Sequence, residues 1–151
     1  MKIALGYDDV GIGLLDAIRE QVSQHAEIEL IDMSASVGDD VEYYADIADR
    51  VSMAVANGEA DRAILMCGTG LGMAMSACKI PGIRAATCHD VYSAERAIKS
   101  NNAQVITMGS RVIGSESAKA VLEVWLNSRW EEGTRSEPKV KRMIEIEKKY
   151  Q

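Results

Sequence analysis

The chain has 151 residues, 47 % apolar and 26 % charged, with a formal net charge of -6. That length is enough for one self-sufficient core, which places residues 1–151 in a single domain. The acidic balance and the lack of a basic block exclude nucleic acid as an expected partner, and no apolar run has the length of a membrane span or the form of a signal peptide.

In chain order, residues 2–7 read as a first strand, short, aliphatic and closed by Gly6-Tyr7-Asp8. Helical 3.6 spacing follows over 14–22, and a second strand over 27–32. Tyr44, Ile47, Ala48, Val51 and Val55 mark a second helix, and 62–66 a third strand. Helix 71–77, strand 83–87, helix 92–98 and strand 105–108 continue the alternation. Ala118, Val121, Leu122 and Trp125 form the stripe of a fifth helix. Beyond Gly133 a last helix, 138–150, has few neighbours in sequence, so Val140, Met143, Ile144 and Ile146 are expected to cover a partner subunit.

Strands and helices alternating in this way predict an α/β fold: a doubly wound, five-stranded parallel sheet, Rossmann-like, covered on both faces. The expected strand order is 2-1-3-4-5, with a crevice at the carboxyl ends of strands 1 and 3. Three cysteines, Cys67, Cys78 and Cys88, make neither an even disulfide set nor a CxxC pair. Reduced thiols predict a cytoplasmic protein.

The strongest local feature is Cys67-Gly68-Thr69-Gly70-Leu71-Gly72, directly after the third strand and opening a helix. Glycines let the backbone approach a ligand, and free amides at a helix start make an anion site that also favours a thiolate. By itself the motif equally describes a tight strand–helix turn around a buried cysteine. Asp8 and Asp9 end strand 1 at the same edge, as helix caps or as ligand contacts. His25 and His89 are the only histidines, and no metal-ligand spacing is present, so neither a metal nor another cofactor is expected.

Several motifs in one order carry a resemblance over nearly the whole chain. They are Gly6-Tyr7-Asp8, Gly58-Glu59-Ala60-Asp61, the Cys67 loop and Lys79-Ile80-Pro81-Gly82-Ile83-Arg84. Tyr92-Ser93-Ala94, Asn101-Asn102 and Gly109-Ser110-Arg111-Val112-Ile113-Gly114 complete the set. In these the chain resembles the ribose-5-phosphate isomerase B and galactose-6-phosphate isomerase subunit family. The resemblance implies an aldose–ketose isomerase of a sugar phosphate, with Cys67 as the proton-abstracting base and Thr69 as a substrate-facing hydroxyl. It implies that the amides of Gly68, Gly70, Leu71 and Gly72 hold the enediolate oxygen, and that Asp8 contacts substrate hydroxyls. Arg111, Arg135 and Lys139 match basic positions around the phosphate, Lys139 in place of an arginine. Asn101 matches an asparagine supplied by a second subunit, which implies a homodimer or dimer of dimers with shared active sites.

Three positions depart from the ribose-5-phosphate isomerase pattern. Asp9 replaces a histidine, Ser100 replaces the histidine associated with furanose opening, and Val41-Glu42 replaces a Tyr-Pro pair. A tetrose 4-phosphate cannot close a furanose, because its O4 carries the phosphate. Ser100 therefore points to erythrose 4-phosphate and erythrulose 4-phosphate as the substrate pair. Two alternatives stand beside it: ribose 5-phosphate, with His89 as ring opener, and a catalytically silent sugar-phosphate-binding subunit.

Overall fold

The computed structural model describes residues 1–34 and 41–151. Five parallel strands are laid down in it: β1 (Lys2–Tyr7), β2 (Glu29–Asp32), β3 (Arg62–Cys67), β4 (Ala85–Thr87) and β5 (Val105–Gly109). A 3-10 turn over Gly11–Leu14 leads into α1 (Leu15–Ser23). α2 (Tyr44–Ala56), α3 (Leu71–Ala77), α4 (Val91–Lys99), α5 (Ser115–Asn127) and α6 (Glu137–Lys149) complete the chain.

The parallel sheet is as expected, but its order is β2-β1-β3-β5-β4 rather than 2-1-3-4-5. Burial explains the exchange. All five residues of β5 are buried, which suits an inner position, whereas β4 has three residues, all half-buried, and takes the edge. The helices follow from this order. Right-handed crossovers put α1 and α4, which step one way across the sheet, on one face, and α2 and α3, which step the other way, on the opposite face. The two apolar clusters divide accordingly. Ile18, Ala94, Ile98, Leu122 and Trp125 pack together on the α1/α4/α5 side. Ile47, Val51, Met73 and Ala77 pack on the α2/α3 side.

The last helix has more support within the chain than its sequence predicts. Val140 is buried, and both carboxylate oxygens of Glu147 accept the Gly82 amide at 3.0 Å. Met143 and Ile146 stay exposed.

Candidate active site

Strand β3 delivers Cys67 as its last residue, at the carboxyl edge of the sheet beside the ends of β1 and β5. The thiol is 6 % exposed, and its Sγ accepts the Gly70 amide hydrogen at 3.1 Å. Gly70 holds φ +80°, a left-handed value that favours glycine, and there caps α3. The Leu71 amide donates to Thr69 Oγ1 at 3.3 Å. Two of the loop amides expected to face substrate are thus already engaged within the loop. The amides of Gly68 and Thr69 take no acceptor among the described residues, and Thr69 is exposed.

The other two cysteines are placed differently. Cys88 is buried, and desolvation, reinforced by Asp90, pushes its thiol up to about 11, so it stays protonated at neutral pH. Cys78 is exposed and bonded to the backbone of Ala85.

The loop is held from three sides. Ser110 N–H donates to Cys67 O and Arg111 N–H to Gly68 O, each at 3.0 Å. Ser110 Oγ donates to Val10 O at 2.8 Å, tying in the chain after β1. From beneath, Thr107 Oγ1 donates to Gly70 O at 2.8 Å. Gly109 is forced to be glycine by contact, since a Cβ there would meet Thr69 Cα at 2.4 Å. Arg111 runs past the loop, its Cδ 3.6 Å from the position of a Cβ on Gly68.

Asp8 serves first as a cap. Its Oδ1 accepts the amides of Val10 and Gly11 at 3.1 and 2.7 Å. Asp8 and Asp9 line an acidic depression of about 350 Å³ with Tyr7, Ser34, Glu42 and Ile47. Glu42, at a position where the resemblance implies a Tyr-Pro pair, ion-pairs with Arg50.

His89 accepts the Gly109 amide hydrogen on Nε2 at 2.9 Å. Burial lowers its pKa, against the opposing effect of Asp90.

The remaining predicted residues lie at the other end of the sheet. Helix α4 leaves the carboxyl end of β4 and returns to the start of β5, so its C-cap Ser100 and the following Asn101 sit at the amino edge. Arg96 Nη1 donates to Ser100 Oγ at 3.4 Å. Arg96, Lys99, Arg129 and Arg135 line a basic cleft of about 260 Å³ there. Lys139 is exposed in the first turn of α6. A strand like β5 rises about 3.3 Å per residue, so this cluster is about 15 Å or more from Cys67 of the same chain. The structure therefore brings Asp8, Arg111 and, through Gly109, His89 to the Cys67 loop, sets Asp9 in the acidic depression, and collects Ser100 and Arg135 elsewhere.

Thr107, Ser110 and Gly109 escaped the sequence reading as site residues. A signal existed for Thr107: it is the one hydroxyl in an otherwise apolar strand, and a buried hydroxyl needs a partner. Among the described residues no group of three or more His, Cys, Asp or Glu side chains is placed to hold a metal ion, and no helix is long and apolar enough to cross a membrane.

Residues 3–143 match the family model described as Ribose/Galactose Isomerase. The chain belongs to this family of sugar-phosphate isomerases. Ribose-5-P isomerase B of Listeria innocua is 46 % identical over 149 residues, covering 99 % of each chain. D-erythrulose-4-phosphate isomerase 2 of Mycolicibacterium smegmatis is 43 % identical over 141 residues, 93 % of each. Among solved structures, ribose-5-phosphate isomerase B of Clostridium thermocellum superposes over the full length of both chains with a TM-score of 0.90 and 38 % identity. This ribose/galactose isomerase family thus accounts for the resemblance carried by the Cys67 loop and the Gly109-Ser110-Arg111 turn.

Proposed function

We propose that this isomerase interconverts erythrose 4-phosphate and erythrulose 4-phosphate in the cytoplasm, with Cys67 moving the proton between C2 and C1. The observation that carries the tetrose is Ser100, at the end of α4, where the family's pentose enzymes are expected to hold a ring-opening histidine. An open-chain substrate needs no such group. The relatives named for erythrulose 4-phosphate, from Mycolicibacterium smegmatis and Pectobacterium atrosepticum, support the same reading.

The thiolate of Cys67 takes the C2 proton of the aldose, and negative charge collects on O1. The unengaged amides of Gly68 and Thr69 are the donors for that oxygen, and the Thr69 hydroxyl faces the substrate. The protonated thiol then returns the proton to C1 while the O2 proton passes to O1, leaving the ketose. Asp8 offers Oδ2 to a substrate hydroxyl. Arg111 anchors the phosphate together with Arg135, Lys139 and Asn101 of a second subunit, because the same chain's copies lie at the far edge of the sheet.

The test is a panel of tetrose, pentose and hexose phosphates run in deuterated solvent. Erythrose 4-phosphate is expected to be isomerised with deuterium incorporation at the highest kcat/KM. Equal or better use of ribose 5-phosphate would return the assignment to ribose-5-phosphate isomerase, the reading favoured by the Listeria relative. Deuterium incorporation into none of them would leave a binding subunit.

A further inference from the structure

The Gly109 amide lies just past the end of a strand pairing. Strands β4 and β5 are in register from Ala85 to Thr87, and the Cys88 amide makes the next bond, to Thr107 O at 3.1 Å. Gly109 is buried, and a buried N–H left unpaired is costly. The partner it finds is a side chain, His89 Nε2, at 2.9 Å.

We infer that His89 is a positioning residue whose Nε2 accepts the Gly109 amide and so holds the 109–111 turn against the backbone of the Cys67 loop. The turn is the element that clamps the loop. Gly109 lies against the Thr69 backbone, and the two following amides donate to the carbonyls of Cys67 and Gly68. The same turn carries Arg111. His89 acts through it and does not touch the reacting carbons. An amide can only donate, so Nε2 is unprotonated here and the ring proton sits on Nδ1.

A pH dependence follows. Protonating Nε2 would set two donors against each other and release the turn. Among the described residues Asp90 is the one charged group that bears on the ring, and it favours protonation, while burial opposes it more strongly. The bond therefore holds at neutral pH and fails below the ordinary histidine range. This role rests on the proposed isomerase reaction for its kinetic readout, but the contact itself is read without substrate.

His89→Ala and His89→Gln form the test, glutamine keeping an acceptor near the position of Nε2 without titrating. Hydrogen exchange of the Gly109 amide, followed by NMR on the protein without sugar, should speed up at least about tenfold in His89→Ala and recover in His89→Gln. The kcat/KM for the preferred sugar phosphate should fall at least about tenfold in the alanine variant and return to within about threefold in the glutamine variant. The protection of the Gly109 amide should fall with acidity in the parent and stay level in His89→Gln, which has no ring to protonate. Unchanged Gly109 exchange in the alanine variant, a glutamine variant no better than alanine, or Gly109 protection that falls with acidity equally in the parent and in His89→Gln would each overturn the inference. A parent that isomerises no sugar phosphate would sink the proposed function, and Gly109 exchange would still decide the contact.

Discussion

Thr107 Oγ1 donates to Gly70 O at 2.8 Å from within the sheet, where Thr107 is fully buried. The hydroxyl of Thr87 lies 2.8 Å from that of Thr107, so two adjacent strands support the turn that presents Cys67. Thr107→Val keeps the shape and removes this donor, while Gly70 O keeps the Ala74 amide at 3.0 Å. The loss is that of one hydrogen bond, about 0.5–1.5 kcal/mol. Denaturant unfolding should show a lower midpoint with an unchanged m-value, and Thr87→Val should cost less, because Thr87 stands 3.4 Å from the same carbonyl.

Cys67→Ala is expected to lower kcat by about 10²–10⁴-fold, the usual loss when a general base is removed. Binding of a phosphate-bearing competitive ligand, followed by calorimetry, should persist. Cys78→Ala and Cys88→Ala are the controls, since neither thiol lies on the loop. Turnover by Cys67→Ala within about threefold of the parent would remove the thiol from the mechanism.

Gly109 and Gly68 are both in the clamped region but differ in room. A Cβ on Gly109 would sit 2.4 Å from the Thr69 backbone, whereas one on Gly68 would find nothing closer than 3.5 Å. Gly109→Ala should therefore cost stability in the range of overpacked cores, about 1–3 kcal/mol or more, because backbone must give way. Gly68→Ala should stay within about 0.5 kcal/mol. Parallel thermal melts compare the two directly.

His25 reports on stability against pH away from the site. Its pKa is raised, chiefly by the hydrogen bond to Glu123 at 2.8 Å, with burial opposing. A raised folded-state value means that the stabilisation is complete below the unfolded value, about 6.5, and is lost as pH rises through the folded value. The unfolding free-energy difference between the parent and His25→Asn should accordingly shrink from about pH 5.5 to about pH 8.5. A difference that grows over that interval would contradict the assignment.

Ser100→His tests the proposed preference for the tetrose. The parent should use erythrose 4-phosphate with a kcat/KM at least about tenfold above that for ribose 5-phosphate, because the cyclic pentose offers only a small open-chain fraction. Adding the histidine should raise turnover of ribose 5-phosphate selectively. A uniform change for both sugars would show that residue 100 does not act on the ring. Mixing Cys67→Ala with Asn101→Ala subunits checks the arrangement around it. Recovered activity is expected if one site draws on two chains, and none despite proven exchange would refute that.

Much of this protein was already legible in its sequence. The apolar strand runs and the 3.6-residue helix stripes are local patterns, and they specify a parallel sheet covered on both faces whatever the strand order. The Cys67 loop and the other quoted motifs placed the chain in its family for a similar reason: close backbone contact and unpaired amides demand particular residues at fixed spacing. Strand order was not local. A three-residue, half-buried β4 yields the inner position to the fully buried β5 only when all strands compete for cover on the sheet. Tertiary structure alone also assigned the amides, spending those of Gly70 and Leu71 inside the loop. It gave His89 a backbone partner twenty residues away, and it separated Ser100 and Arg135 from Cys67 by the length of the sheet. Those relations join residues distant in sequence, so no spacing along the chain encodes them; they arise when packing decides which end of each element meets which.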